Sequence, residues 1–168
     1  SHGGGSHAEG YRTVSSGSYS HAEGNLTIAS GSYSHAEGNT TLALGIGSHA
    51  EGNSTVTLGI GSHAEGLNTV ASGSYQHVQG QYNISSSAQS AFIIGNGTDT
   101  GTRSNLLFAS GSNVQITGSL NITQGITGSL FGTASFATSA SFAPSASFAT
   151  SASQATSSSY AEAAKTVG

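Results

Sequence analysis

The side chains in this sequence best able to do chemistry are histidines and glutamates, and they recur at a fixed interval. His7, His21, His35, His49, His63 and His77 are spaced by fourteen residues, and five of them sit in an identical Ser-His-Ala-Glu-Gly segment that also supplies Glu9, Glu23, Glu37, Glu51 and Glu65. A sixth copy, at 76–80, reads Gln-His-Val-Gln-Gly. Imidazole and carboxylate two residues apart on a strand share one face, where they can share a proton, act as acid and base, or ligate a metal. An acid–base site needs one unique pocket, whereas this pair returns at five successive levels. That is the behaviour of a structural ladder, so no catalytic residue and no enzymatic activity are expected. The columns are expected to fix register and subunit specificity. Three chains meeting on an axis could also gather three imidazoles in one layer. The spacing selects no metal, however, and a cation in every layer would crowd its neighbours at about 4.8 Å. No metal or cofactor is therefore expected.

The elements that position these columns follow from glycine. Gly recurs at 10, 17, 24, 31, 38, 45, 52, 59, 66, 73 and 80, so the unit is seven residues in two alternating versions. The second version reads Thr-Val-Ser-Ser-Gly at 13–17, Thr-Ile-Ala-Ser-Gly at 27–31 and Thr-Leu-Ala-Leu-Gly at 41–45, with further copies at 55–59 and 69–73. A heptad period suggests a coiled coil, but each Gly costs a helix about 1 kcal/mol and β-branched neighbours add to this. Short strands joined by tight corners fit instead, two units closing one fourteen-residue coil. Stacked coils place residues fourteen apart in ladders, an all-β parallel β-solenoid over residues 1–80.

Several local expectations follow. By the seven-residue pseudo-symmetry His and Glu occupy the places of Val14 and Ser16, of Leu42 and Leu44, and of Val56 and Leu58. Those apolar side chains need shelter, so the His and Glu columns are expected inside the roll or at a subunit contact. Asn25, Asn39 and Asn53 follow a strand Gly, where a left-handed corner residue is expected, so their Asn-x-Ser/Thr sequons read as turn chemistry before glycosylation. Gly3-Gly4-Gly5 reads as a linker or corner, not a nucleotide loop. The Thr column could evoke an ice-binding face, but only Thr55 and Thr57 supply the paired columns it needs.

Composition narrows the class. The 168 residues include 25 Gly, one Pro and no Cys, and only 6% are charged. Solubility must then rest on Ser, Thr, Asn and Gly or on burial between chains. A net charge of -4 with three firm cations leaves no basic stripe for phosphates, so nucleic-acid binding is not expected. No apolar run approaches the roughly 20 residues of a membrane helix, and no membrane insertion is expected. The chain opens with Ser1 and reads as part of a longer polypeptide. A flat two-strand coil encloses little volume, so other copies of the chain are expected to supply the missing core.

After Gly80 the interval breaks. Residues 81–112 read as a capping and transition segment, with strands at Ala91–Thr98 and Arg103–Phe108 and with Asp99 and Arg103 in a salt bridge or a solvated loop. Residues 113–168 read as a low-complexity stalk. Ile116-Thr117-Gly118-Ser119-Leu120 is echoed ten residues later, and Phe136, Phe142 and Phe148, with Tyr160 in the same place, recur at multiples of six. Six residues advance a helix by about 240° and make no seam, whereas a strand keeps every Phe on one face. Three interwound extended chains with Phe and Ala inside are expected, Pro144 being compatible with an extended strand. Only Tyr160–Lys165 looks competent to form a helix.

The Ser-x-Ala-x-Gly frame resembles the head repeats of trimeric autotransporter adhesins of the YadA type. With His and Glu in the variable places it resembles the repeats of phage tail-fibre and tail-spike proteins over residues 6–80. The Ile-Gly-Asn-Gly-Thr and Arg-Ser-Asn segments likewise resemble the stretch that closes the repeat region of phage fibres. The resemblance implies a left-handed β-roll, a homotrimeric fibre, and a virion structural protein that serves host attachment. It further implies as partners other copies of the chain, other fibre or baseplate proteins, and a host-surface glycan or protein receptor. Its alternatives are the head and stalk of a bacterial trimeric autotransporter at the cell surface, or the non-catalytic part of a spike whose enzymatic or autoproteolytic domain lies elsewhere.

Overall fold

The computed structural model describes residues 3–124, 143–146 and 155–158. Among these residues there is no helix, and the repeat region is a parallel β-solenoid of about six turns. Each of the first four coils contributes one five-residue and one two-residue strand, and the fifth contributes two two-residue strands. In chain order they are β1 (His7–Tyr11), β2 (Val14–Ser15), β3 (His21–Asn25), β4 (Ile28–Ala29), β5 (His35–Asn39), β6 (Leu42–Ala43), β7 (His49–Asn53), β8 (Val56–Thr57), β9 (His63–Ala64), β10 (Val70–Ala71) and β11 (His77–Gln81). Odd-numbered strands stack in one sheet and even-numbered strands in a second, five-stranded sheet. Register is strict: each His pairs with the next His in the first sheet, and Val14, Ile28, Leu42, Val56 and Val70 pair in the second.

The repeat motif can be explained residue by residue. Ala22, Ala29, Ala36, Ala43, Ala50, Ala64 and Ala71 point inward and are fully buried, facing Thr27, Thr41, Thr55 and Thr69. The motif Ser closes the corner: Ser20, Ser34, Ser48 and Ser62 each donate to the carbonyl of the Gly three residues earlier, at 2.6–2.8 Å. Its Gly lies flat on the coil above. A Cβ on Gly38, whose φ is 106°, would approach the carbonyl oxygen of Gly52 to well under 3.0 Å. Between Ala22 and Ala71 the interior therefore holds only methyl and hydroxyl groups. It takes no His or Glu, which corrects one of the two placements expected for those columns.

The corners differ from expectation by one residue. The left-handed conformation falls at Leu26, Thr40 and Ser54, with φ of 57–59°, and Asn25, Asn39 and Asn53 end their strands. Stacked amides satisfy one another: Asn25 Nδ2 donates to Asn39 Oδ1 at 2.5 Å, and Asn39 Nδ2 to Asn53 Oδ1 at 3.3 Å. A non-Gly residue in this conformation costs roughly 1–2 kcal/mol. Here the coil below offsets it, since Leu26 N–H donates to Tyr11 O and Thr40 N–H to Asn25 O.

The parallel stack ends in an antiparallel meander. β12 (Phe92–Asn96) pairs parallel with β11, then β13 (Asn105–Ser110) and β14 (Asn113–Ile116) add antiparallel. The Ala column widens to Val78 and Ile93, with Phe108 packed against them. Over the second sheet the buried Asn83 amide takes the place of a further strand. It accepts from Val70 N–H at 2.8 Å and donates to Val70 O at 3.0 Å. Arg103 does not pair with Asp99; its guanidinium donates to the carbonyls of Asn68 and Asn83, while Asp99 accepts from Gly101 and Thr102 N–H within its own loop. End-of-stack carbonyls lack a strand to bond, and Arg103 satisfies two of them.

The chain divides into compact units Ser1–Asn121 and Ile122–Gly168. Asn113–Ile116, assigned from sequence to the stalk, belongs to the sheet of the first unit. In the second, β15 (Ala143–Ala146), which contains Pro144, pairs parallel with β16 (Ala155–Ser158), Ala143 beside Ala155. The stalk-core residues Phe136, Phe142, Phe148 and Tyr160, the Ile126–Leu130 echo and the helix-competent Tyr160–Lys165 lie outside the described residues.

Candidate functional site

The first sheet turns His and Glu to its outer face because its alanines must turn inward. From His21 to His77 the rings stack at the pitch of the coils. Centroids are 4.7–4.8 Å apart, and from His21 to His63 the rings are nearly parallel, with interplanar angles of 1–16°. The column ends in ring-edge contact at His63–His77 and continues onto Phe92. Each imidazole leans toward the Glu of the coil before it: His35 to Glu23 at 3.9 Å, His49 to Glu37 at 3.6 Å, His63 to Glu51 at 3.4 Å and His77 to Glu65 at 3.6 Å. Only in the first coil does His7 meet its own Glu9 at 3.4 Å as its nearest carboxylate.

These columns are half-buried; the His49 and Glu37 side chains, for example, are 34% and 32% exposed. Their apolar counterparts are likewise only partly covered within one chain: Val14, Leu44 and Leu58 are 38–49% exposed. From Ala22 to Ala71 the interior takes only Ala, Ser and Thr, and the larger side chains face out; the end of the stack admits Gln76, Val78, Asn83 and Ile93. Beside the ladder runs an open groove of about 790 Å³, walled by the Glu column from Glu9 to Glu65 and floored by the Gly column from Gly10 to Gly66.

Stacking like groups forces their titrations apart. Glu37 lies between Glu51 and Glu23; hydrogen bonding with Glu51 and partial burial raise its pKa to about 7. Its neighbours gain what it gives up: Glu23 and Glu51 are lowered, chiefly by the hydrogen bond from Glu37. Burial, then the neighbouring imidazoles, lowers His35 and His49 below 6.5, so both rings are neutral at neutral pH. At neutral pH a half-protonated Glu37 thus stands between ionised Glu23 and Glu51, beside the neutral His35 and His49 rings.

This has a signed consequence for stability. Glu37 titrates near 4.5 unfolded and about 7 folded, so its contribution is full below 4.5 and lost as pH rises through 7. His35 and His49 act oppositely: their contribution is present above 6.5 and lost as pH falls through their lowered folded values. Glu37→Gln removes the first effect and keeps the second. Thermal melts between about pH 7 and pH 5 should show a steeper acid loss in Glu37→Gln than in the unaltered chain. Parallel profiles would contradict a raised Glu37.

Three clusters bring two His and one Glu within 4.8 Å of one another: His7, Glu9 and His21; His35, Glu37 and His49; His49, Glu51 and His63. Sequence reasoning placed the columns but missed other ladders. Tyr19 stacks on Tyr33 with centroids at 5.5 Å and planes 7° apart, both rings about two-thirds exposed. Their fourteen-residue spacing was the available signal, interrupted by Gly47 and Gly61 before Tyr75. The buried Gln76 amide takes the motif Ser position in the sixth copy, a departure from the repeat that was the available signal, whereas the buried Asn83 amide carries no periodic signal. No family model, no curated protein and no solved structure matches this chain.

Proposed function

We propose that this chain is a structural and adhesive module: a segment of a homotrimeric tail fibre of a phage or phage-tail-like particle, serving attachment to a host surface. The observation that carries the reading is repetition in register. The same His, Ala, Glu and Gly pair with themselves from coil to coil, an architecture that gains length by adding coils and has no single privileged level for chemistry. The His–Glu pairs recur along the stack and share one open groove, which argues against catalysis at any one of them. The sequence resemblance of residues 6–80 to phage fibre repeats supports the assignment to a tail. The antiparallel meander and its Asn83 and Arg103 seals suit a repeat domain that must close its edge before another segment begins.

Other fibre or baseplate proteins are the partners in this reading, and the exposed Tyr, Asn, Ser and Thr surfaces are suited to a glycan or protein receptor. The test is location. Gold-labelled antibodies against the coil region, applied to particles released from the source strain, are expected to mark tail fibres. Labelling confined to the bacterial envelope would replace this reading with a cell-surface adhesin.

A further inference from the structure

The outer face of the first sheet carries an unmet chemical need. The Nε2 atoms of His21, His35, His49 and His63 are buried and have no hydrogen-bond partner. Yet carboxylate oxygens stand 3.4–4.0 Å from three of them, His35, His49 and His63, close enough for charge attraction but not aligned for hydrogen bonding. A buried polar atom left in this way has given up its hydrogen bond to water without a replacement. A cation seated between coils would satisfy imidazole lone pairs and carboxylate charge together.

We propose that the face binds one divalent transition-metal ion of the zinc type through His49, which is completed either by His35 and Glu37 or by His63 and Glu51. The donor set is two imidazole nitrogens and one carboxylate oxygen, the ligand chemistry that zinc accepts with a fourth position left to water. In each cluster the three donor atoms already lie within 4.8 Å of one another. With Zn–N near 2.0–2.1 Å, two nitrogens on one tetrahedral ion stand about 3.4 Å apart, so the stacked rings must converge by roughly 1–1.5 Å. Aiming both lone pairs at one ion also requires the near-parallel rings to turn out of their stacked planes, a rotation that the broad χ2 of His allows on a half-exposed outer face. The backbone ladder that holds the coils need not move.

The two clusters share His49, and its Nε2 has one lone pair, so they cannot be filled together. Two ions about one coil apart would also repel strongly. The two clusters that share His49 thus describe one ion with two alternative seats, in place of a cation in every layer; the third cluster, His7, Glu9 and His21, stands apart from them on more exposed side chains. This removes the crowding that counts against a fully loaded column. The inference rests on ligands supplied by a single chain and not on the fibre reading.

Calorimetric titration of Zn²⁺ into the full chain, in a buffer that does not chelate, tests it. His49→Gln is expected to remove one bound ion per chain. His35→Ala and His63→Ala should each keep that ion with affinity weakened about twofold, since one of two equivalent seats remains. Combining them should abolish it, and His77→Gln, outside all three clusters, should leave it unchanged. Co²⁺ in place of Zn²⁺ should give the visible absorption of a low-coordinate nitrogen and oxygen site, absent in His49→Gln. Far-ultraviolet circular dichroism establishes that each variant is folded; if His49→Gln is not, the single and double variants at His35 and His63 decide alone. The proposal is overturned if no saturable ion binds, if His49→Gln behaves like His35→Ala, or if affinity falls in proportion to histidines removed whatever their position.

Discussion

Gly38→Ala is expected to destroy the folded stack, whereas Gly47→Ala is expected to be tolerated, although both glycines have positive φ. At Gly38 the added methyl meets the backbone of the next coil, the carbonyl oxygen of Gly52, with φ at 106°. Neither group can step aside without parting the coils, because each β5–β7 partner pair is locked in register from His35–His49 to Asn39–Asn53. Side-chain repacking cannot relieve a clash between main chains, so the loss should exceed roughly 4 kcal/mol, in the range of exceptional single substitutions. In a repeat protein that loss acts on a nearest-neighbour interface and uncouples the coils on either side.

At Gly47 nothing lies within 4 Å of the added methyl, and φ is 63°. The equivalent corner is filled by Tyr19, Tyr33 and Tyr75 with φ of 56–59°, so the fold already accepts side chains there. The cost should be about 1 kcal/mol, lowering the melting temperature by about 2–4 °C. Circular-dichroism melts of the two variants check the contrast. A cooperative transition in Gly38→Ala, shifted no more than that of Gly47→Ala, would contradict close main-chain contact as the reason for the Gly column.

That contrast marks how far the sequence could be read. Its His and Gly intervals led directly to stacked coils, because in-register parallel strands place identical residues side by side and the pairing of His21 with His35 is that interval made visible. Which way each residue faces was harder to read. His and Glu alternate with Ala on the strand, and alternation alone does not say which set is inside. The distance between the sheets decides it, admitting Ala36 and Thr41 and excluding His35 and Glu37. The corner was misplaced by one residue because Asn is a good left-handed residue in isolation. In a stack, Asn39 gains more from amides above and below, and Thr40 takes the turn. Asn83 and Arg103 act once, at the end of the stack, through carbonyls that no periodicity announces.

The second large expected result concerns the number of chains. Each inward Ala methyl contributes about 0.8 kcal/mol on burial, less than the roughly 1–2 kcal/mol needed to fix one residue's backbone. Parallel hydrogen bonds supply part of the difference. The rest must come from apolar side chains, and in one chain many of these remain uncovered: Leu44, Ile46, Leu58 and Ile60 are 38–53% exposed in neighbouring coils. With 6% charged residues there is little to keep such a surface soluble alone. We propose that copies of the same chain cover this surface, three of them if the resemblance to trimeric fibre and adhesin repeats holds.

Native mass spectrometry of the intact chain, sprayed from a non-denaturing volatile buffer, puts this to the most direct test. The account predicts a dominant species close to three times the 16.5 kDa chain mass, persisting on dilution. A folded species at 16.5 kDa, with no larger assembly at any concentration, would contradict it.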